Sequence, residues 1–493
     1  MRKIPFFVVR SLPFALGLWA CMGDSPPLVR HDATDVIVLP DAAFDANPEA
    51  ASDATVDGAP DAVSDATADA VSDARADGVA DASADARIDS GPPVYNDWTH
   101  AGLWSAFQPD QGTLSFASAL SVNGYVYFIP TSTHSKVWRY DTTKAFNAQG
   151  SWNSFDTSFL GGGTSGYSAG VSDGRYIYLV PGSGKGLAVR YDTTASFSSM
   201  NSWETYDLYV KNPRLQGFGS GIYANGYVYF VPNHNGIPSS ADPGGVTGLS
   251  VRYNVVLPFN AATSWETFDV HSLDSEAYGF TGGVNVNGTV FFAPSLRYGG
   301  DGIDVVRFDT SGAFAGGGWG FTNVYTLSGN TIAGLTGAGF DGQYVYFGPM
   351  YLRYGAARYD TLRPVADPDA WQLFDMRNVP GIPTASGSAY MAFDGRYMYF
   401  PPAGRYFSDG GYNDQNSALI RFDTTGVFAN QASWSFVDLV AKTGNANAKL
   451  FSGGCFDGQY FYLPPAAYGI VVRLDAKSPA SIPAALPPGG SFQ

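Results

Sequence analysis

Beyond residue 110 the chain alternates apolar and polar positions in short runs closed by Gly, Asn or Pro. A period of two puts successive side chains on opposite sides of an extended backbone, so these runs predict strands rather than helices. The sharpest runs follow an Asn-Gly or Asp-Gly pair, the dipeptide that folds one strand back on the next. They read "NGYVYFIP" (123–130), "DGRYIYLVP" (173–181), "NGYVYFVP" (225–232), "NGTVFFAP" (287–294), "DGQYVYFGP" (341–349), "DGRYMYFPP" (394–402) and "DGQYFYLPP" (457–465). Their glycines stand at 124, 174, 226, 288, 342, 395 and 458, a spacing of 50 to 63 residues. That spacing is at or a little above the length of a propeller blade.

Each copy sits in the same surroundings. Before the turn lies a strand of small residues, such as "GFGSGIYA" (217–224) or "LFSGGCF" (450–456). After the Pro comes a loop of variable length, then a third strand with Arg-aromatic-Asp: "VWRYD" (137–141), "AVRYD" (188–192), "VVRFD" (305–309), "LIRFD" (419–423). One loop later comes a Trp strand, as in "SWNSFDT" (151–157), "SWETYDL" (202–208), "SWETFDV" (264–270) and "AWQLFDM" (370–376). Four antiparallel strands per unit, seven units, and small residues on the first strand predict an all-β, seven-bladed β-propeller, in which the innermost strands crowd round a central channel.

The seventh unit has its third strand, "VVRLD" (471–475), but no Trp after it. Trp104 in "AGLWSAFQPD" (101–110) supplies the missing one. The N-terminal strand is therefore expected to complete the last blade and leave no open sheet edge. The seven outer strands would then carry Trp104, Trp152, Trp203, Trp265, Trp319, Trp371 and Trp434. The tail 480–493, Pro-rich and without an aromatic until Phe492, is expected to add little stability. In its Tyr-Asp third strand and Trp-bearing fourth, the repeat resembles Kelch-type propellers over residues 100–475, with Pro where the Kelch second strand ends in Gly-Gly.

The N-terminal part breaks the alternation. The domains expected are a signal peptide and lipobox (1–21), an Asp/Ala-rich disordered linker (22–93) and the propeller (94–493). Arg2, Lys3 and Arg10 flank the apolar "SLPFALGLWA" (11–20), too short to span a bilayer. Leu18-Trp19-Ala20-Cys21 resembles the bacterial lipobox, whose Cys is diacylated and becomes the mature N-terminus, with Trp19 bulkier than the usual residue. An ordinary signal peptide cleaved near Ala20 is the alternative. On the lipobox reading Cys21 is the lipid attachment site, and Met22 in place of Asp directs the protein to the outer membrane, on its periplasmic or cell-surface side. From Asp53 to Asp89 an Asp recurs every fourth residue, which on a helix would stack like charges. Without large apolar side chains such a segment stays a tether.

Charge follows the same division. Residues 1–91 carry 16 acidic and 6 basic side chains, and residues 92–493 carry 28 and 22, so the folded part is only −6. No basic stripe exists to hold a nucleic acid. Gly (59), Tyr (30) and Phe (34) suit strands joined by tight turns. With Cys21 lipidated no disulfide can form, and Cys455 reads as a buried, inert thiol.

A residue present in every blade serves the blade; one present in a few can serve a ligand. By that rule Arg139, Arg190, Arg252, Arg307, Arg358, Arg421 and Arg473 are structural. Each precedes an Asp (Asn254 in the third blade) by two residues on the same strand face, and charge-assisted hydrogen bonds within or between blades are expected. The loop after the Pro differs. "SLRYGGDG" (295–302), "MYLRYG" (350–355) and "AGRYFSDGGYNDQN" (403–416) supply Arg297, Tyr298, Asp301, Arg353, Tyr354, Arg405, Tyr406 and Asp409. The seventh blade adds Tyr468, and the first and third add His134 and His234. Arg is a bidentate donor and Tyr a flat ring, a pair suited to anionic or hydroxylated ligands. The expectation is a monomeric binding propeller whose partner is a glycan or an envelope protein, tied to the membrane by lipid alone. One alternative is a lyase-like enzyme: polysaccharide lyases with seven blades use Arg to neutralise a uronate and Tyr or His to remove the adjacent proton. Another is a structural spacer. No nucleotide, haem, flavin or zinc motif is present, so no cofactor or metal is expected, and no catalytic residue is assigned.

Overall fold

The computed structural model describes residues 91–492 except 113, 163–164, 183–185, 241, 295–303, 330–333, 350–354, 383–389, 404, 407–411 and 414. Cys21 and the linker up to residue 90 lie outside them. The repeats form seven four-stranded antiparallel sheets, six of them running from inner to outer strand in chain order. The first consists of Phe116–Val122, Tyr125–Pro130, Lys136–Asp141 and Trp152–Asp156. Its Asn-Gly turn has both central residues at positive φ (Asn123 50°, Gly124 77°), the geometry that matches strand twist.

The seventh blade is assembled from both ends of the chain, as the missing Trp implied. Cys455–Phe456, Tyr460–Leu463 and Val471–Asp475 are followed in space by Trp104–Phe107, with Trp104 opposite Leu474 and Phe107 opposite Val471. The N-terminal contribution extends further upstream. Val94–Tyr95 pairs with Lys477–Ser478.

The recurrent Trp has one repeated role. Its indole N–H donates to a carbonyl in the loop just before its strand: Trp152 to Phe146 at 2.9 Å, Trp203 to Phe197 at 3.1 Å, Trp265 to Phe259 at 2.9 Å, Trp434 to Phe428 at 2.8 Å. Trp104 does the same to Trp98 at 2.7 Å, so Trp98 stands where five blades have Phe and the fifth blade has Val365. Each bond satisfies a buried donor while the ring fills the space between blades.

The seven arginines are structural, and charge-assisted hydrogen bonds of the expected kind form within and between blades, as where Arg190 reaches Glu204 of its own blade at 2.8 Å and Tyr253 of the next at 2.7 Å; aromatic stacking accompanies them. Each guanidinium of six blades is stacked between the aromatic that opens the second strand of its own blade and the loop aromatic of the next. Arg139 lies 4.3 Å from the rings of both Tyr125 and Phe197; Arg252 lies 4.0 Å from Tyr227 and 4.6 Å from Phe314. Arg421 lies 3.8 Å from Tyr397 and 4.0 Å from Trp98, so the N-terminal segment completes this contact too. The charged partner, where there is one, is the residue after the Trp: Glu204 for Arg190 at 2.8 Å and Glu266 for Arg252 at 2.9 Å. The Asp two residues on is engaged elsewhere, because the strand ends there and its carboxylate caps the following loop. Asp141 accepts from the Thr143 N–H at 3.1 Å, and Asp423 from that of Thr425 at 3.1 Å. The fourth blade departs from the rule. It has Thr289 for the Tyr, the fifth blade has Val365 for the Phe, and Arg307 lies along Gly320, where a Cβ would stand 2.7 Å from the guanidinium carbon.

The tail is packed rather than free, which sets its structure against the expectation that 480–493 adds little stability. It enters the channel mouth. The Gly489 carbonyl accepts from the Ser121 N–H at 2.7 Å, and the Gly490 carbonyl from the Phe456 N–H at 2.8 Å. Both donors belong to inner strands. Closing a propeller removes the edge between first and last blades, yet every inner strand still has an unpaired side facing the channel. Gly490, at φ 64°, fits so closely that a Cβ would stand 1.9 Å from the Phe456 carbonyl oxygen, a position only Gly can occupy. Phe492 is 2% exposed and Leu486 8%.

Candidate functional site

Antiparallel order in each blade sends its connections to two faces. Turns from first to second strand and loops from third to fourth share one; loops from second to third strand, and crossings to the next blade, share the other. On the first face the third-to-fourth loops are nearly constant: 142–151, 193–202, 255–264, 361–370 and 424–433 are ten residues each, and 310–318 is nine. On the second face the second-to-third loops run from five residues (131–135, 182–186) to sixteen (233–248) and seventeen (401–417). Length variation is confined to one side of the ring.

The candidate residues divide between those that can be placed and those that cannot. Arg297, Tyr298, Asp301, Arg353, Tyr354 and Asp409 lie outside the described residues. Arg405 and Tyr406 form a small hairpin in the sixth-blade loop, their backbones opposite Asn413 and Tyr412. His134 is half-buried rather than displayed: its Nε2 accepts from the Ser115 N–H at 3.3 Å and its ring meets Phe116 edge to face at 5.5 Å. Burial pushes its pKa down, which favours the neutral ring. Its Nδ1 is enclosed without a hydrogen-bond partner among the described residues. His234 belongs to the long third-blade loop, where its backbone bridges to Val246. Burial lowers its pKa as well, opposed by a hydrogen bond to the Gly244 backbone. Tyr468 sits at positive φ (63°) in the seventh-blade loop, with the Lys449 ammonium 4.8 Å from its ring. Lys449 also donates to Gln415 of the sixth-blade loop. The described candidates thus share a face, each with its own local partners.

Two features of this face went unforeseen. Arg214, in the crossing from second to third blade, grips the fully buried Asp242 with two bonds (2.5 and 2.6 Å) and Asp269 with a third (2.7 Å). Asn235 adds a bond to Asp242 at 2.9 Å. Burial raises the Asp242 pKa, but the guanidinium and these hydrogen bonds outweigh it and hold the carboxyl below its ordinary value. A paired charge of this kind fastens the sixteen-residue loop to its blade. Tyr390, which precedes the inner strand of the sixth blade, crosses the channel, its hydroxyl 2.8 Å from the carbonyls of both Gly219 and Thr281. Neither feature has a sequence signature, since Arg214 occurs in one blade and Tyr390 bonds to backbone.

On the opposite face the channel mouth holds a cavity of about 510 Å³ between the inner strands of the second to fourth blades and the tail. Among the described residues no group of three or more His, Cys, Asp or Glu is placed to hold a metal ion.

Strand order, closure and faces define the protein as a seven-bladed β-propeller with one constant and one variable face. No family model matches the chain, and no curated protein matches it. Among solved structures it is similar to the WD40 domain of Neurospora crassa Pan2, at 6% identity and TM-score 0.44, covering 75% of this chain and 91% of that one. It is also similar to the computationally designed Ika8 protein, at 10% identity and TM-score 0.41, covering 75% and 98%. A third similar structure is YjhT, at 14% identity and TM-score 0.40, covering 66% and 98%.

Proposed function

We propose that this protein is a binding propeller of the bacterial cell envelope, presented on a lipid-anchored tether and recognising a glycan or an envelope protein with its variable-loop face. The observation that carries the reading is the confinement of loop-length variation to that face, while residues common to all blades are spent on packing. Rigid scaffolds place recognition on variable loops. The sequence carries Arg-Tyr pairs between the second and third strands of the fourth to sixth blades, residue types that combine a bidentate donor with a flat ring. A glycan array and an envelope pull-down are the direct tests. Retention of a ligand that is lost when 405–413 is replaced by a short Gly-Ser turn is the expected result; no binder in either assay would refute the reading.

The anchor is tested separately. Cys21→Ser is expected to move the protein from the membrane to the soluble envelope fraction, because one diacylated cysteine is the only attachment on this reading. Continued sedimentation of the variant with membranes would show that something else holds it.

A further inference from the structure

We propose that the channel mouth on the constant face is a second binding site, for an uncharged sugar of one or two rings. It is independent of the variable face and needs no part of it.

The cavity has the size for such a ligand. Its volume of about 510 Å³ falls within the 300–1,000 Å³ typical of small-molecule pockets. At the other end Tyr390 reaches across to the start of the inner strands of the third and fourth blades, at Gly219 and Thr281, whereas the cavity lies at the far ends of those strands, around Tyr223 and Asn285. A volume of this size limits the occupant to a small molecule.

The lining selects the chemistry. Among the described residues that line it there is no Asp, Glu, Lys, Arg or His, and the one acid that acts on the lining is Asp173, beside Tyr223. An anionic ligand would lose its hydration there without gaining a counter-ion and would be repelled by Asp173, a cost that a neutral one avoids. Polar groups are nevertheless present: the Tyr223 hydroxyl, and the Asn285 carboxamide, which accepts from the Gly288 N–H at 3.0 Å, donates to the Tyr223 carbonyl at 3.4 Å and has capacity for further bonds, together with the channel-facing backbone of the inner strands. Ile222, Phe340 and Phe492 supply an apolar surface beside them. Hydroxyl and carboxamide groups next to apolar walls match the two sides of a pyranose, its ring of hydroxyls and its C–H faces. The tail already demonstrates the polar capacity of these inner edges, since Ser121 and Phe456 each bind one of its carbonyls. The tail also forms the opposite wall of the cavity, from Ala484 to Phe492.

The test is titration calorimetry, with saturation-transfer NMR, of the full chain with D-glucose, N-acetyl-D-glucosamine, maltose and D-glucuronate. At least one neutral sugar is expected to bind, and glucuronate at least tenfold more weakly, about 1.4 kcal/mol. Ala484 is exposed at the rim, so Ala484→Trp is expected to fill the mouth and abolish binding with an unchanged melting point. If that variant melts lower, Tyr223→Phe takes its place, removing one hydroxyl with an expected loss of several-fold in affinity. No binding by any neutral sugar would overturn the proposal, as would equal affinity for glucuronate. Undiminished binding by Ala484→Trp would also overturn it, and would place the sugar on the variable face instead. Replacing loop 405–413 should leave this site untouched, so the two readings fail separately.

Discussion

A chain lacking residues 91–107 is expected to lose cooperative thermal unfolding altogether. The deletion removes Trp98 and Trp104, 2% and 6% exposed, and the outer strand of the seventh blade. It strips Arg421 of its stacking partner at 4.0 Å and leaves Tyr399 without the ring that meets it at 6.1 Å. The third strand of the seventh blade would be left with unpaired backbone groups along its length. Truncating one buried Trp costs on the order of 3–5 kcal/mol. Two such losses with an opened ring approach or exceed the 5–15 kcal/mol by which folded domains are typically stable. Circular dichroism melts of the intact and shortened chains decide the matter. Midpoints within a few degrees of each other would mean that the ring does not depend on its N-terminal strand.

Ending the chain at residue 483 is expected to lower stability by about 3–5 kcal/mol, the range for losing one large buried side chain, while leaving a cooperative transition. Phe492 and Leu486 leave the core, and Ser121 and Phe456 lose the carbonyls that satisfy their N–H groups. The cost falls short of a simple sum because the freed segment regains conformational entropy. Gly490→Ala should reproduce much of the loss, since its Cβ would overlap the Phe456 carbonyl oxygen. Ile482→Ser, at a side chain 57% exposed, should leave the midpoint unchanged. Urea titrations of the three variants check this; a truncated chain as stable as the intact one would show that the tail only rests in the channel.

The contrast between these two ends shows which parts of the structure the sequence makes legible. Blade number, strand order and closure follow from local signals: two-residue alternation, Asn-Gly and Asp-Gly turns, and a Trp missing from one repeat and present before the first. Trp98 fits the same logic, since "WTHAGLW" (98–104) has the spacing of "FNAQGSW" (146–152). The tail's contacts are illegible in the sequence because its partners are backbone N–H groups, which every residue but Pro possesses and which leave no mark on composition. The arginine contacts were half legible. Periodicity identifies them as blade residues that make charge-assisted hydrogen bonds, but one of each pair of stacking aromatics comes from the next repeat, which no spacing within a repeat reveals. The face carrying the candidates could be read from loop variation, whereas convergence of His134, His234 and Tyr468 depends on distances that no spacing encodes.

A ring whose last sheet takes its outer strand from the start of the chain imposes an order on biosynthesis. Trp104–Phe107 is among the first parts of the propeller to be made, and its partner Val471–Asp475 is among the last. At 5–20 residues per second, the 364 residues from Phe107 to Val471 take roughly 20–70 s to synthesise. Throughout that interval the early strand exists without the neighbour it was shaped for, while six blades can stack one on another behind it. Ribosome-bound intermediates should therefore resist protease across the first blades and remain cleavable near residue 104 until the chain is released.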